Sequence, residues 1–326
     1  MNYLIHSRPY TILHPLKEEL NLLPNTNYLF NLEYLSTLTI NGDKSSEFLQ
    51  GQLSCDMRLV TSQQMRQGVM CNLKGRILAA LDVIALSHQQ IVLVLPKDIA
   101  ADIQAKLAKP AQFSRIQINP LPMKIYGLFV QSKTDLNSVG FPLPTHQYEV
   151  SHNNDVYCYK IDTSLYMLMS QSDGMDSLFE SCIKQDQKRG SLAWHALQLQ
   201  YHRAEIYPES QGLFLPHRLN MHQTGYLSFE KGCYKGQEII ARMHYRSTQK
   251  YTLTGFKVQT ILPLYAGLTL YSEDGKTAIG ELIDYCPIGD NQFYIVASIL
   301  INSQINCFSI ADQGDHKIVM LSTISK

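Results

Sequence analysis

The C-terminal quarter of the chain is a series of short apolar runs of β type, and turn sequences separate several of them. Asp274-Gly275 and Gly289-Asp290 are turn signals of the kind that join antiparallel strands. Several strands at such close spacing indicate a small antiparallel barrel or sandwich, with a boundary near residue 247. The predicted strands are residues 252–258, 268–272, 279–285, 293–301 and 318–322.

Ahead of this region, strand-like and helix-like patterns alternate. Residues 35–40 predict a strand, and Asp43 then predicts the N-cap of a helix. The apolar runs 77–86 and 91–95 predict two strands joined by a polar turn. The helix that follows is expected to end at Pro110. This alternation favours an α+β class over a doubly wound parallel sheet.

The middle of the chain continues the mixed pattern. Residues 153–161 and 165–170 predict the two strands of a hairpin. Residues 175–188 and 192–203 have apolar positions at helical spacing and predict two helices. No internal repeat and no low-complexity linker divides this part of the chain.

The charge balance excludes a protein that coats nucleic acid through a global positive field. Lys and Arg number 28, Asp and Glu number 28, and the formal net charge is +0. No apolar stretch approaches the roughly 20 residues that a membrane helix needs. The N-terminus has no apolar core of signal-peptide type. We therefore expect a cytoplasmic protein without membrane attachment.

The cysteines also favour a cytosolic setting. There are seven, they are dispersed along the chain, and no C-x-x-C is present. This pattern predicts reduced thiols rather than a disulfide framework, and it offers no local zinc site. We expect most of them to be small buried hydrophobes, and we expect no metal centre.

One segment carries more chemical information than the rest, and it reads G-Y-L-S-F-E-K-G-C-Y-K-G-Q-E-I-I-A-R-M-H-Y-R from Gly225 to Arg246. Its cysteine, Cys233, precedes a helix predicted over residues 237–243. Unpaired N–H groups and the macrodipole at a helix N-terminus favour an anion such as a thiolate. Lys231 and Lys235 act in the same direction.

The glycines and the charges of this segment point to an anionic partner. Gly232 and Gly236 permit a close approach of the backbone to a ligand. Five basic and two acidic residues between 230 and 250 leave a local excess of three positive charges, because 5 − 2 = 3. Such a patch suits a phosphate, a carboxylate tail or RNA. Two other interpretations stay open: a packed thiol in a tight turn, and a Cys233 nucleophile paired with His244 or His217.

The run K-G-C-Y-K-G-Q-E, residues 231–238, closely resembles the motif of the YgfZ family, whose members are folate-binding proteins linked to iron–sulfur enzymes and tRNA modification. These proteins are structural relatives of the T-protein, the aminomethyltransferase of the glycine cleavage system. Other segments match in type along the chain. They are F-L-Q-G-Q-L-S-C-D (48–56), N-L-K-G-R-I-L-A (72–79), F-S-R-I (113–116) and F-L-P-H-R-L-N (214–220).

The resemblance implies a T-protein-like arrangement of three domains around a central channel. It predicts a discontinuous α+β folate-binding domain over residues 1–42 and 112–212. It predicts a ferredoxin-like α+β domain with the motif over residues 43–111 and 213–246. The third part is a C-terminal antiparallel β-barrel over residues 247–326.

Departures from the transferase pattern bear on the chemistry. The transferases carry an acidic pair, G-x-I-L-D-D, where this chain has Ala79 and Ala80. Alanine can neither bind an ammonium nor move a proton, so glycine-cleavage aminomethyl transfer is not expected. The transferase segment R-x-E-A-G, whose Glu contacts the pterin, corresponds to Arg203-Ala204-Glu205 without the following Ala-Gly. Glu205 is therefore an expected pterin ligand on a partial match.

The main hypothesis is a tetrahydrofolate-binding accessory protein that supports iron–sulfur cluster assembly or repair and, through it, tRNA methylthiolation. Its partners would be folate, iron–sulfur enzymes such as the tRNA methylthiotransferase, and tRNA at the basic patch. Cys233 would be the functional thiol, with Lys231 beside it. The expected cofactor-binding residues are Asp56, Glu205, Gly232, Tyr234, Gly236, Gln237, Glu238, Arg242 and Arg246.

Two alternatives accompany this hypothesis. The first is a folate-dependent one-carbon transferase or demethylase that uses a different acid, for which Asp56 and Glu238 are the candidates. The second is an RNA-binding module that uses the basic patch between residues 230 and 250.

Overall fold

The computed structural model describes residues 2–132, 142–153, 156–171, 184–301, 307–309 and 317–324. These residues form two α+β layers and a closed barrel, preceded by a short hairpin and one helical turn. The predicted helix over residues 175–188 lies largely outside the described ranges. None of the described helices combines the length and the apolar composition needed to cross a lipid bilayer. The N-terminal elements are strands β1 (Asn2–Ile5) and β2 (Arg8–Thr11) and helix α1 (Leu16–Glu19).

The first layer is a six-stranded sheet with a buried helix on one face. The strand order is β10-β11-β12-β9-β3-β13, antiparallel except for the parallel pair of β13 with β3. Helix α4 (Ser191–Gln200) lies against the sheet because Gly127 has no side chain. A Cβ on Gly127 would lie 2.5 Å from the Trp194 ring. The strands are β3 (Tyr28–Asn31), β9 (Lys124–Phe129), β10 (Val150–Asn153), β11 (Val156–Lys160), β12 (Leu165–Ser170) and β13 (Lys188–Arg189).

The second layer is a five-stranded antiparallel sheet in the order β5-β6-β7-β4-β8. Its strands are rich in β-branched and aliphatic residues, which favour a pleated surface that is largely buried. Helix α2 (Ser45–Gln50) and helix α3 (Lys97–Phe113) pack against this sheet. The strands are β4 (Leu35–Asn41), β5 (Arg66–Cys71), β6 (Ile77–Ala85), β7 (Gln90–Pro96) and β8 (Gln117–Pro120).

Pro110 does not end helix α3, so that prediction is wrong. Ile103, Leu107 and Ala111 are spaced four residues apart and are all buried against the sheet. Pro110 lies in the last turn, where its missing N–H removes a single hydrogen bond of the helix. The apolar stripe therefore carries the helix past the proline to Phe113.

Asp43 is not the N-cap of helix α2, which corrects a second prediction. Lys44 occupies that position, and the cap makes no side-chain hydrogen bond. Asp43 instead accepts a hydrogen bond from the Gln89 amide at 2.5 Å. The Ser45 hydroxyl, in the first turn of the helix, donates to the Gly42 carbonyl at 2.7 Å.

The C-terminal strands close into a six-stranded barrel in the order β14-β17-β16-β15-β18-β19, because β14 pairs with both β17 and β19. The predicted antiparallel barrel is confirmed. Its interior is apolar, with Val258, Leu282 and Phe308 fully buried. The strands are β14 (Tyr251–Gln259), β15 (Thr269–Tyr271), β16 (Ala278–Gly289), β17 (Gln292–Leu300), β18 (Cys307–Ser309) and β19 (Lys317–Ile324).

A buried arginine joins the N-terminal hairpin to the rest of the molecule. Arg8 is 1% exposed and forms two hydrogen bonds of 2.9 Å with the Asp98 carboxylate. Its Nη1 donates to Glu205 at 2.6 Å, and its Nη2, which also contacts Asp98, donates to the carbonyl of Ile206 at 2.7 Å. The Glu205 N–H donates in turn to Asp284 of the barrel at 2.8 Å. One guanidinium therefore connects the hairpin, helix α3 and the segment that leads to the barrel.

Candidate functional site

Lys231 is the buried anchor of the motif loop. Its side chain is 7% exposed, and its ammonium donates to the carbonyl oxygens of Gln50, Leu53 and Cys55 at 2.8, 2.6 and 2.8 Å. Burial lowers the pKa of Lys231 to about 8. The three protons of the ammonium thus hold the motif against the F-L-Q-G-Q-L-S-C-D segment.

Tyr234 is the second buried residue of the loop. It is 7% exposed, and its ring centroid lies 4.9 Å from the Lys231 ammonium. Its backbone N–H donates to the Gln237 side-chain oxygen at 3.2 Å, so Gln237 holds the loop together at the start of the helix. The Tyr234 hydroxyl is buried and finds no hydrogen-bond partner in the described part of the chain. Burial raises the pKa of this hydroxyl.

Gly236 is the point at which the motif packs, backbone against backbone, on the N-L-K-G-R turn. Its φ is +83°, and a Cβ there would lie 2.4 Å from the Asn72 carbonyl oxygen. Gly75 in the facing turn has φ +69°, and a Cβ there would lie 3.1 Å from Ile239. Only glycine combines this φ with so little space on either side. The contact of Gly236 is therefore with another turn of the protein.

Cys233 points to solvent, in contrast to its neighbours. It is a free, exposed cysteine, whereas the other five described cysteines are buried free thiols. Burial raises the pKa of Cys55 to about 11 and that of Cys71 to about 12, so these thiols stay protonated near neutral pH. A Cβ on the adjacent Gly232 would meet no atom within 4 Å. Cys233 is thus the described thiol that a large partner can reach.

The helix after the motif, α5 (Gln237–Arg246), presents a polar and aromatic face to solvent. Arg242, Tyr245 and Arg246 are exposed and spaced i, i+3 and i+4, which places them on one face. Tyr245 is 68% exposed, which is unusual for a large aromatic side chain. Glu238 is also exposed, one turn before Arg242. Of the predicted basic patch, Arg242, Arg246 and Lys250 lie on the surface, whereas Lys231 is buried.

A histidine cluster lies beneath this helix. The His217 and His222 rings stack with centroids 4.8 Å apart, and the His244 ring centroid lies 6.4 Å from that of His217. His244 also stacks on Phe229 at 3.7 Å. Burial, followed by the charges of the other two histidines, lowers the pKa of His217 to about 4. The F-L-P-H-R-L-N segment thus packs against the motif helix through the His217 ring, which is neutral near pH 7.

Asp56 is held by an arginine on the same turn. Its carboxylate accepts hydrogen bonds from the Arg58 guanidinium, the shortest at 2.6 Å, and from the Gln50 amide at 3.1 Å. Hydrogen bonding from Arg58 lowers the pKa of Asp56 to about 2. Arg58 also donates to the carbonyl of Glu230 at 3.0 Å. Asp56 thereby belongs to the contact between its segment and the motif loop.

A separate cavity of about 90 Å³ lies between the two sheets. Strands β6 and β7 form one wall, and residues 203–206 form another. Tyr34, Trp194 and Tyr226 contribute aromatic surface. Among the expected cofactor-binding residues, the structure brings Glu205 alone to this cavity. The described residues of the motif itself, 231–238, do not line it.

Asp82 is a candidate functional residue that sequence reasoning did not select. Its carboxyl group lines the cavity and accepts hydrogen bonds from the Gln67 amide at 2.7 Å and the Tyr159 hydroxyl at 3.0 Å. Burial raises the pKa of Asp82. It lies two residues after Ala80, and both line the cavity. The available signal was a lone carboxylate inside an otherwise apolar run.

Glu205 and Arg203 complete the polar lining of the cavity. The Glu205 carboxylate accepts from Arg8 at 2.6 Å and from the Tyr34 hydroxyl at 2.5 Å. The Arg203 guanidinium donates to the Gln67 side chain at 2.9 Å and to the Tyr226 hydroxyl at 3.2 Å.

Within the described ranges, no group of three or more His, Cys, Asp or Glu residues is arranged to hold a metal ion.

Comparisons with known proteins place this geometry in context. No protein-family model matches the chain. The "tRNA-modifying protein YgfZ" of Sodalis glossinidius (strain morsitans) is 25% identical to it over 302 residues, which cover 90% of each chain. The protein of that name from Hamiltonella defensa is 27% identical over 271 residues, 80% of this chain and 79% of that one. The protein of that name from Colwellia psychrerythraea is 23% identical over 300 residues, 90% of this chain and 91% of that one.

A solved structure of a T-protein resembles this chain in fold. The crystal structure of glycine cleavage system aminomethyltransferase T from Bartonella henselae matches with a TM-score of 0.75 at 18% identity. The match covers 100% of this chain and 93% of that chain. The resemblance to YgfZ proteins that the motif predicts is confirmed, and so is the T-protein-like fold. The division into three domains stays a prediction, as do the roles of the individual site residues.

Proposed function

We propose that this chain is a tRNA-modification protein. It would bind a tetrahydrofolate in the cavity between the two sheets and present Cys233 as its reactive thiol to iron–sulfur enzymes. The relatives named as tRNA-modifying proteins support the tRNA part of this proposal. The observation that carries the role of Cys233 is its exposure on a loop whose neighbours, Lys231 and Tyr234, are buried. A loop anchored in this way offers its thiol in a defined position.

The chemistry of Cys233 follows from its surroundings. It is exposed four residues before helix α5, and Lys235 follows it by two residues. A thiolate there can act as a nucleophile or as a ligand to soft iron or sulfur species. Iron–sulfur clusters need about four such ligands, so one thiol must share the cluster with its partner protein. Cys233 would therefore act at an interface.

The residues that line the cavity suit the ring end of a folate, whereas the volume of the cavity is small for it. Aromatic walls suit a planar ring, and the Asp82 carboxyl group can accept from the amino and ring N–H groups of a pterin. Ligand pockets typically measure about 300–1,000 Å³, whereas this cavity holds about 90 Å³. Binding would therefore require the walls to move apart. A bound tetrahydrofolate would supply a carrier for one-carbon units.

Calorimetric titration with tetrahydrofolate tests the cavity. Ala80→Phe would fill it, and we expect at least a tenfold loss of affinity relative to the unmodified chain. Ala278→Phe adds the same side chain at an exposed position of the barrel and should leave affinity unchanged. Equal binding by both variants would move the folate site elsewhere. Absence of binding by the unmodified chain would remove folate from the proposal.

Complementation of a strain that lacks this protein tests the thiol. The content of methylthiolated nucleosides in tRNA, measured by mass spectrometry, should stay low with Cys233→Ala. Ser247→Ala is the matched control, because it also removes one heavy atom from an exposed side chain, directly after helix α5. Full restoration by Cys233→Ala would exclude a role for the thiol.

A folate-dependent one-carbon enzyme is a second candidate, and Asp82 is the observation that favours it. Of the acids considered from sequence, Asp56 is paired with Arg58 and Glu238 is exposed, whereas Asp82 lines the cavity. Product formation from methylated amines and tetrahydrofolate, abolished by Asp82→Asn, would establish this activity. Folate binding without any turnover would reject it.

Direct contact with tRNA is a third candidate, favoured by the exposed face of helix α5. Tyr245 can stack on an unpaired base, and the arginines on either side can contact phosphates. Removing Arg242 and Arg246 together should reduce the slope of log affinity against log salt by about 1–2. An unchanged slope would place any tRNA contact on another surface.

A further inference from the structure

An apolar surface extends from the N-L-K-G-R turn to the barrel. Leu73 of the turn is 80% exposed, Leu213 is 40% exposed, and Tyr265, in the loop before strand β15, is 50% exposed. The Arg76 guanidinium donates to the carbonyl of Leu213, and a Cβ on Gly267, two residues after Tyr265, would lie 3.2 Å from the Leu213 side chain. The three exposed side chains thus lie on adjoining segments, and we call them the apolar patch. Exposed apolar patches with a polar border mark interaction surfaces.

The apolar patch begins beside the exposed thiol. A Cβ on Gly236 would lie 2.4 Å from the Asn72 carbonyl oxygen, so the turn touches the motif loop at this point. Leu73 is one residue from the contact and Cys233 is three residues from it. At most about 14 Å of extended chain, in addition to the contact itself, therefore separates the two residues. A typical interface covers about 800 Å² of each protein, which is a disc about 30 Å across, so one partner can cover both.

The charges around this contact indicate the charge of the partner. Three cationic residues that are exposed or half-buried adjoin it, and they are Lys74, Arg76 and Lys235. The exposed carboxylates nearby along the chain are those of Glu230 and Glu238. Glu230 adjoins a further cation, Arg58, which donates to its carbonyl at 3.0 Å. The turn itself has two exposed cations and no acid, which suits a partner face that carries carboxylates.

We propose that the apolar patch, together with Lys74 and Arg76, is the docking surface for the iron–sulfur protein that meets Cys233. The inference rests on the proposed role of the thiol, and it describes the face that the partner presents, an apolar recess bordered by carboxylates. An apolar centre with a polar rim is the usual composition of a protein–protein interface. The leucines favour a protein over RNA, because an aliphatic side chain offers no flat face on which a base can stack.

Protection of Cys233 from alkylation tests this surface. The probe is the purified tRNA methylthiotransferase of the same organism, and mass spectrometry of the Cys233 peptide measures the rate of labelling by iodoacetamide. We expect the methylthiotransferase to slow the labelling of the unmodified chain. The concentration that gives half of this protection should rise at least about tenfold in Leu73→Glu, because a carboxylate replaces the apolar contact. It should rise about two- to fivefold in Lys74→Glu, which removes one exposed charge pair.

Leu23→Glu is the matched control. It makes the same exchange at a 53% exposed leucine that contacts Gln131, after strand β9, and it should leave the half-protecting concentration unchanged. Without the methylthiotransferase, Cys233 should be labelled at the same rate in all of these proteins, because each substitution lies at an exposed position and leaves the motif loop intact.

The outcomes separate this inference from the proposed function. Protection that is equally strong in Leu73→Glu would overturn the inference and leave the iron–sulfur partner on another surface. Protection by tRNA alone that Leu73→Glu abolishes would also overturn it, because the patch would then be an RNA site. Absence of protection in the unmodified chain would overturn the inference together with the partner part of the proposed function, whereas the folate part is decided separately by calorimetry.

Discussion

The residues of the motif loop face two opposite sides, one inward and one outward, and the two sides have different tasks. Lys231, Tyr234 and Gly236 are directed inward and fit against two other turns of the protein. Gly232 and Cys233 are directed outward and contact little. A compact motif thus holds its position with one set of residues and exposes its thiol with the other. Mutations on the two sides should therefore differ in kind.

The largest loss of stability is expected at the closest inward contact. Gly236→Ala would place a Cβ 2.4 Å from the Asn72 carbonyl oxygen, at a φ of +83° that alanine disfavours. We expect the free energy of unfolding to fall by about 3–5 kcal/mol, measured by denaturant titration. The outward control Gly232→Ala should cost less than about 1 kcal/mol. Similar losses for both would erase the distinction between the two sides.

The next largest effect is expected at the buried ammonium. Lys231→Met would leave the carbonyls of Gln50, Leu53 and Cys55 without their donor, at an expected cost of about 2–4 kcal/mol in unfolding free energy. Lys235→Met, at a half-buried position of the same loop, should cost less than about 1 kcal/mol. A tolerated Lys231→Met would show that the anchor is dispensable.

Acid should loosen the contact beneath the motif helix. The pKa of His217 is lowered to about 4 in the fold, whereas the unfolded histidine titrates near its ordinary 6.5. The unfolded state therefore takes up the proton first, and stability falls as the pH drops from 6.5 towards 4. We expect a contribution of about 2 kcal/mol between pH 7 and pH 5, which His217→Gln should abolish.

The groups that face His217 are His222 and His244, so no carboxylate among these ring contacts offsets its charge. Denaturant midpoints at pH 7 and pH 5 measure the effect. An unmodified chain and a His217→Gln variant with the same pH dependence would contradict the prediction.

The smallest effect on stability is expected at the outward thiol. Cys233→Ser should change the free energy of unfolding by less than about 0.5 kcal/mol, because the side chain is exposed. Cys71→Ser is the matched inward substitution, and it should cost about 1–3 kcal/mol because it buries a hydroxyl. If Cys233→Ser proved the more destabilising of the two, the thiol would have a structural role.

The sequence was sufficient for the architecture and for the position of the motif. Turn signals and β-type runs predicted the barrel, and the eight-residue motif predicted the resemblance that the comparisons confirm. Both features are local in sequence. The prediction that Pro110 ends the helix was wrong because the buried apolar stripe of the helix continues past it. The prediction that Asp43 is the N-cap was wrong because its side chain binds Gln89 on a neighbouring turn.

The cavity could not be predicted in the same way. It is assembled from residues far apart in the chain, and its carboxyl group, Asp82, belongs to no motif. The sequence alone indicates that Lys231 is a charge beside the thiol, because the two residues are close along the chain. Its partners, at positions 50–55, come into contact with it only in the folded chain. Local patterns therefore identified the outward side of the motif better than the inward side.

The position of Arg8 has a consequence for the order in which the chain can be completed during synthesis. Its partner Glu205 is 197 residues further along, and the next link, Asp284, is later still. The hairpin leaves the ribosome before any of these carboxylates exists, because even Asp98 is 90 residues further along. Contacts with such long sequence separation close late, because the intervening loop must be ordered first. We expect this hairpin to be the last element to gain protection in pulsed hydrogen exchange, although it is made before the sheets and the barrel.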